Sequence, residues 1–282
     1  MSDVLSSRVR ADYDHARFQA FLNRVWSVLS GQPTELLSYE EVKEKLHIGG
    51  PIYRGVQTVR VEQIAGSLNR YQAFDRAFLP RSDETSERWQ SINRAFYEDV
   101  SLPPVVLYKV GDVYFVVDGH HRVSVARKQN QVFIDAEVRE CSTKVKITPD
   151  MKPEDLESLH AKVHFIERTG IDHLRPDAEF DLTIPDGFLR MLEHIAVHRY
   201  FLGIDWKRDI REEEAVTHWY DTVYLPIVNV IRESKILKEF PGKTEGDLYL
   251  WTLDHQHYLM EQKGVALRPP EDAARDFIEK VD

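Results

Sequence analysis

The stretch Asp118-Gly119-His120-His121-Arg122 joins a carboxylate, a glycine, two imidazoles and a guanidinium. It stands where an apolar run, Val113–Val117, gives way to the helix-forming composition of His121–Gln129. A strand that leaves through Asp-Gly straight into a helix brings several free backbone N–H groups to one point. It also aims the positive end of the helix at that point. Phosphates bind such places readily. Gly119 lets a ligand approach the backbone without meeting a Cβ. Arg122, within the first turn, can add a bidentate phosphate contact. His120 and His121 can donate hydrogen bonds or carry protons near neutral pH. Asp118 can hold Mg²⁺ through one carboxylate. The same residues also suit a plain helix start with an arginine in solvent, so spacing alone leaves both readings open.

The elements that would position these residues can be read around them. Gly111-Asp112 between Val105–Tyr108 and Val113–Val117 is a hairpin signal, and Phe133–Val138 is a further strand. Upstream, Val59, Val61 and Ile64 alternate and predict a strand over 57–64. Ser86–Tyr97 reads as a helix with Trp89, Ile92 and Phe96 on one side, stopped by Leu102-Pro103-Pro104. Apolar spacing predicts a helix from Ala16 to Leu29, ended by Gly31-Gln32-Pro33. Ser38-Tyr39-Glu40-Glu41 looks like a capping box for a short helix to Leu46. Beyond Pro149 helices are expected over 153–170, 187–202, 212–238, 245–262 and 271–281. Pro226 should kink or split the long one, and Gly203, Gly242 and Gly264 should supply ends. The expected class is α+β: a small mixed-sheet domain over 51–148, flanked by an N-terminal helical segment (1–50) and a larger, acidic helical region (149–282).

The run from Val113 to Glu137 resembles the signature segment of the ParB/sulfiredoxin superfamily, a strand followed by Gly-x-x-Arg opening a helix and then a short strand. Gly119-His120-His121-Arg122 with Val123, Val125 and Ala126 carries the match. The layout upstream is similar: a strand at Val59–Ile64, Arg70, a helix ending near Tyr97, then Pro104-Val105-Val106. The resemblance spans residues 51–140 and implies a nucleotide-binding domain of that mixed-sheet type. Sulfiredoxins place a cysteine where His120 stands, and Cys141 falls well past the motif, which argues against their chemistry. Partitioning ParB proteins usually carry Gly-Glu-Arg-Arg, bind CTP and continue into a basic helix-turn-helix region. Members that phosphorylate free serine are closer in form, with an Asp-Gly-x-His-Arg type motif on the nucleotide phosphates. What the resemblance implies is ATP/ADP or CTP, with Mg²⁺, held by Arg70, Gly119, His120, His121, Arg122 and Ser124. Transfer to an acceptor needs a carboxylate near its hydroxyl, for which Glu62, Asp75 and Asp118 are the candidates. Downstream, Trp219-Tyr220-Asp221 and the segment Phe240–Thr244 resemble parts of bacterial proteins of unknown function, which implies no activity.

Composition sets the wider frame. The 282 residues are 42% apolar and 30% charged, which is ordinary globular usage. One cysteine cannot make an internal disulfide, and no stretch approaches the roughly 20 apolar residues that span a bilayer. With no apolar signal region in residues 1–10, a cytoplasmic protein is expected and no membrane partner. Residues 1–150 balance 20 Lys and Arg against 20 Asp and Glu, whereas 151–282 hold 17 against 27, the whole of the net −10. An acidic half repels phosphate backbones, so DNA is not an expected partner. His194/His198 and His160/His164 share a helical spacing, but packed histidines are expected there rather than a metal centre. Trp219, Tyr220, Tyr224 and Val228 read as a packed stripe, and Pro241–Thr244 as a turn with an N-cap at Thr244. Three functions follow in order: a nucleotide-binding protein, as phosphotransferase or NTPase; a non-catalytic nucleotide-switched regulator or adaptor with a protein partner on the helical region; and a ParB-like nuclease.

Overall fold

Runs of alternating and β-branched residues pair into a six-stranded mixed sheet that organises Met1–Leu156, the first of two units; the second is Glu157–Asp282. The computed structural model describes residues 2–281 except 31–33, 70–71, 185 and 265. The strands are β1 (Leu37–Ser38), β2 (Ile52–Arg60), β3 (Ile64–Ser67), β4 (Val105–Val110), β5 (Val113–Asp118) and β6 (Phe133–Cys141). Their spatial order is β1-β3-β5-β4-β6-β2. β5 lies in the interior, parallel to β3 and antiparallel to β4, and β4 runs parallel to β6. The hairpin at Gly111 forms as its composition predicts, with Gly111 at φ +57°.

The α-helices beside this sheet are α1 (Ser2–Ser30), α2 (Tyr39–Leu46), α3 (Ser86–Tyr97) and α4 (His120–Lys128). α4 joins two layers of core. Its Val123 packs with Leu107, Val116 and Val138 on the sheet and with Phe74 from the connection after β3, and its Val125 packs with Tyr13, Ala16, Ala20 and Trp89 from α1 and α3. Described residues within 2–50 belong to this core: Tyr13, Ala16 and Ala20 of α1 pack with Trp89 and Val125, Leu36 joins the cluster on the sheet, and β1 adds a strand. The strand predicted over 57–64 is two strands on different sides of the sheet. A 3₁₀ turn at Val61–Gln63 ends β2 and redirects the chain into β3. Arg127 at the far end of α4 makes that break possible, donating to the carbonyls of Val61 at 3.1 Å and Ile64 at 2.6 Å. The carbonyls that leave the ladder thus keep partners.

From Asp155 the chain is helical: α5 (Asp155–Thr169), α6 (Ile171–Leu174), α7 (Gly187–Trp206), α8 (Glu212–Trp219), α9 (Leu225–Ser234), α10 (Glu245–Lys263) and α11 (Pro270–Val281). The helix predicted over 212–238 is divided. A π-helical turn at Tyr220–Tyr224 precedes Pro226, which sits in the first turn of α9. A widened turn is a local way to accommodate a ring that would clash with the carbonyl four residues back. Gly203 does not end α7, which runs on to Trp206; a Cβ there would stand 3.3 Å from the Arg208 carbonyl, so the glycine gives room for the returning chain. Trp219, Tyr224 and Val228 are buried, and the Tyr249 hydroxyl accepts a hydrogen bond from Trp219 Nε1 at 3.1 Å. Thr244 caps α10 in a capping box with Asp247. Among the described residues, no helix is long and apolar enough to cross a membrane.

Candidate functional site

The carboxyl ends of two parallel strands, β3 and β5, lie side by side, with Ser67 opposite Val116. α4 begins where β5 ends. Gly119 is its N-cap, at φ +97° and ψ 24°, and contributes no side chain to cap the helix amides. Glycine is required there three times over. An L-residue is strained at that φ, an added Cβ would come within 2.6 Å of Val105 Cγ1, and it would meet Arg122 Nη2 at 2.9 Å. The amides of the first turn open beside a hollow of about 210 Å³ lined by Asn69, Arg88, Ile92 and residues 117–122. A first turn that no N-cap side chain caps, the helix dipole and a nearby guanidinium make this a place suited to an anion.

His120 and His121 are both buried. His120 Nε2 lies 2.8 Å from Ser67 Oγ, which ties the start of α4 to the end of β3. The Phe74 ring stacks on His120 at 6.1 Å and meets His121 edge-on at 5.4 Å. The two imidazoles are therefore held against a fixed aromatic wall, which sets the direction of the helix start.

Arg122 is placed differently from the phosphate clamp read from the sequence. Its Nη2 bonds Asp118 Oδ2 at 2.6 Å, and its Nη1 donates to the carbonyls of Pro104, at 2.8 Å, and Pro103. The side chain is 13% exposed and Asp118 is 63% exposed. The guanidinium folds over Gly119 as a brace between the exit of β5 and the entry to β4. Asp118 keeps its other oxygen for solvent or a cation.

The remaining expected residues are distributed as follows. Ser124 is fully buried and accepts a hydrogen bond from Trp89 Nε1 at 2.8 Å, so it locks α4 to α3 instead of facing the hollow. Glu62 lies in the 3₁₀ turn beside Arg127, near the opposite end of α4, and pairs with Arg60 at 3.2 Å on the surface. Arg127 follows His120 by seven helical steps, about 10 Å of rise. Asp75 is buried, accepts from Leu79 N at 2.7 Å and Asn23 Nδ2 at 3.0 Å, and borders a separate hollow beside α1. Burial raises its pKa above the ordinary carboxylate value, opposed by those hydrogen bonds. Of the three candidate carboxylates, only Asp118 lines the α4 hollow. Arg70 lies outside the described residues.

Two residues at the rim were not singled out in the sequence, Arg88 and Asn69. Arg88 is exposed on α3 and makes no ion pair among the described residues. Its placement follows from its neighbour: Trp89, anchored to Ser124, fixes the turn of α3 that turns Arg88 toward the mouth. No local pattern signals this, because the pairing partner is 35 residues away. A second hollow of about 410 Å³ shares Ile92 and Arg122 with the first. Phe96, Pro103, Pro104, Phe133 and Ile134 line it, with Thr58 and Asp135 as polar groups. Among the described residues, no group of three His, Cys, Asp or Glu side chains could hold a metal ion.

No protein-family model matches this chain, and no curated protein matches it. Among solved structures it is similar to the C-terminally truncated chromosome-partitioning protein ParB from Caulobacter crescentus, complexed with CTP-gamma-S. The identity is 15%, the match covers 80% of this chain and 99% of that one, and the TM-score is 0.24. It is also similar to a Pnob8-like ParB-N domain at 12% identity, covering 82% and 98% of the two chains, with a TM-score of 0.22.

Proposed function

We propose that this protein binds a nucleotide, with the phosphates at the start of α4 and the remainder of the molecule toward the adjoining hollow. The observation that carries the reading is the uncapped first turn of α4, opening beside a hollow with Arg88 at its rim. The motif resemblance supports it. Backbone N–H groups of residues 120–122 would take phosphate oxygens, and Arg88 and Asn69 would close over them. Arg122 acts through Asp118 and the proline carbonyls, keeping strand exit and helix entry in register. Mg²⁺ bound with the nucleotide would find one carboxylate oxygen on Asp118, the usual protein share for that ion. The apolar and aromatic walls of the second hollow, with Asp135 and Thr58, suit a heterocyclic base.

The test is calorimetric titration of the full chain with ATP, ADP, CTP and GTP, each with Mg²⁺. At least one should bind, and Arg88→Ala should weaken it about tenfold or more, the worth of one charge-assisted contact. No binding by any of the four, or an Arg88→Ala protein that binds as tightly as the parent, overturns the proposal.

A second reading, a nucleotide-controlled switch without chemistry, is favoured by one arrangement. Glu62 and Asp75 lie away from the hollow, and Asp118 is engaged by Arg122. Under this reading a protein partner on the helical unit responds to the bound nucleotide. Of the three candidate carboxylates only Asp118 lines the hollow, so a phosphotransferase or NTPase with a carboxylate base would use Asp118. Steady nucleotide turnover that disappears in Asp118→Asn while binding persists decides for catalysis and against the switch.

A further inference from the structure

α1 changes sides along its length. Over its first part the apolar residues Val9, Tyr13, Ala16 and Ala20 face inward, and the last three pack with Trp89. Beyond that the inward positions turn polar: Asn23 hydrogen-bonds Asp75 at 3.0 Å. The apolar residues now face outward. Phe18, Phe21, Leu22, Val25, Trp26, Val28 and Leu29 are between 44% and 80% exposed. Arg24 is the single charged residue among positions 18–30, in a chain that is 30% charged. Phe18, Leu22, Val25 and Leu29 follow the 4-3-4 spacing of a helix-packing seam, with the others on its flanks. A helix that is apolar on two opposed sides needs two partners, and α3 covers one of them.

We infer that this outer face of α1 is a homodimer interface, packing against the same face of a second copy in antiparallel fashion across a two-fold axis. Area and charge select that occupant. The exposed apolar side chains together offer roughly 800–900 Å² of accessible surface, about what each partner brings to a stable interface of standard size. It exceeds the largest apolar patch of an ordinary monomer, about 300–600 Å². An isologous contact pairs residue i with j and j with i across the axis, so a stripe with one charge can meet its own copy without needing an opposite charge on a different surface. Arg17, Arg24 and Arg81 stand beside Phe18 and Phe21, but Arg17 pairs with Asp83 and Arg81 with Glu35, so among the described residues a charge-selected partner or an anionic lipid surface would find little beyond Arg24. The Phe18 and Phe21 rings, stacked at 6.4 Å, form a rigid knob at one end of the stripe.

Sedimentation velocity of the full chain from about 1 to 100 µM, the range in which an interface of micromolar affinity is populated, tests this. The parent should sediment with the mass of two copies. The Leu22→Asp/Val25→Asp double variant should sediment as one, with unchanged far-ultraviolet circular dichroism and thermal midpoint, because both side chains are already exposed. A parent that stays at the mass of one copy throughout overturns the inference, whether the stripe is covered by its own chain or binds lipid vesicles. A folded double variant that keeps the dimer mass overturns it as well. As a second probe, Trp26→Gln/Leu29→Gln, which adds no charge, should raise the dimer dissociation constant at least tenfold.

Discussion

At the scale of single residues, the candidate site rests on Gly119. Its φ of +97° and the 2.6 Å approach of an added Cβ to Val105 Cγ1 leave alanine no relaxed position, since Val105 sits on a strand with a stiff χ1. Gly119→Ala should cost about 1–3 kcal/mol of stability by chemical denaturation and should weaken nucleotide binding in calorimetry beyond what that loss explains. Ser124 separates two roles. If it serves the core, Ser124→Ala leaves the Trp89 indole N–H buried without its acceptor, at about 1–3 kcal/mol, and changes nucleotide affinity less than about threefold, well under 1 kcal/mol. A large affinity loss with intact stability would return Ser124 to the ligand. The glycine was legible in the sequence because a strand-to-helix turn demands an unusual backbone, which is a local property. The roles of Arg122 and Arg88 were not. A guanidinium chooses among all acceptors that the tertiary fold brings within reach, and here the carbonyls of Pro103 and Pro104 come from 19 and 18 residues upstream.

At the scale of elements, what could be read and what could not divides by the range of the interaction. α2 with its Ser38 cap, α3, the β4–β5 hairpin and α10 with its Thr244 box are set by neighbours within a few residues, and sequence spacing finds them. The break between β2 and β3 depends on Arg127, more than 60 residues away, and so reads as one strand. The first half of α1 lacks a stripe wide enough to announce a helix, and its inward face is defined by Trp89 on α3. The helical unit carries its own legible consequence for pH. His194 on α7 faces the Tyr249 hydroxyl at 3.1 Å, and that hydroxyl also accepts from Trp219. The hydroxyl proton is then best given to His194 Nδ1, which requires that nitrogen to be unprotonated. Burial, with repulsion from Arg190 second, pushes the His194 pKa down to about 4 from 6.5. Between those values the unfolded chain binds a proton that the folded chain refuses, so stability falls as pH drops from 6.5 toward 4. The slope approaches 1.4 kcal/mol per pH unit, or roughly 2–3 kcal/mol over the window. His198, lowered by burial and by His218, adds in the same sense. Denaturant midpoints at pH 7, 6 and 5 should show the decline, and His194→Asn, which keeps an acceptor for the hydroxyl, should flatten it. Equal slopes in parent and variant would remove His194 from the account.

At the scale of the whole molecule, charge decides which polyanions can be partners. The hollow beside α4 needs only a few donors to hold a small phosphate group, because backbone amides and one guanidinium act at contact distance, where screening by salt is weak. A nucleic-acid duplex presents a line of phosphates and rewards only a surface that neutralises many of them at once. This chain, with a net charge of −10 and an excess of ten acids in residues 151–282, repels that line at long range. The same protein should therefore bind a mononucleotide yet leave duplex DNA alone. The sharpest comparison is at low salt. A protein contacting six to ten phosphates gains about 10³–10⁵ in affinity between 200 and 50 mM salt. Gel retardation of a 30-base-pair duplex, run at about 50 mM salt with protein up to about 10 µM, should show no shift, while nucleotide affinity changes only a few-fold over the same salt range. A retarded band whose affinity falls steeply with salt would place a basic track on the first unit that outweighs the acidic half. It would also return the DNA-directed functions, partitioning and nuclease, to first place.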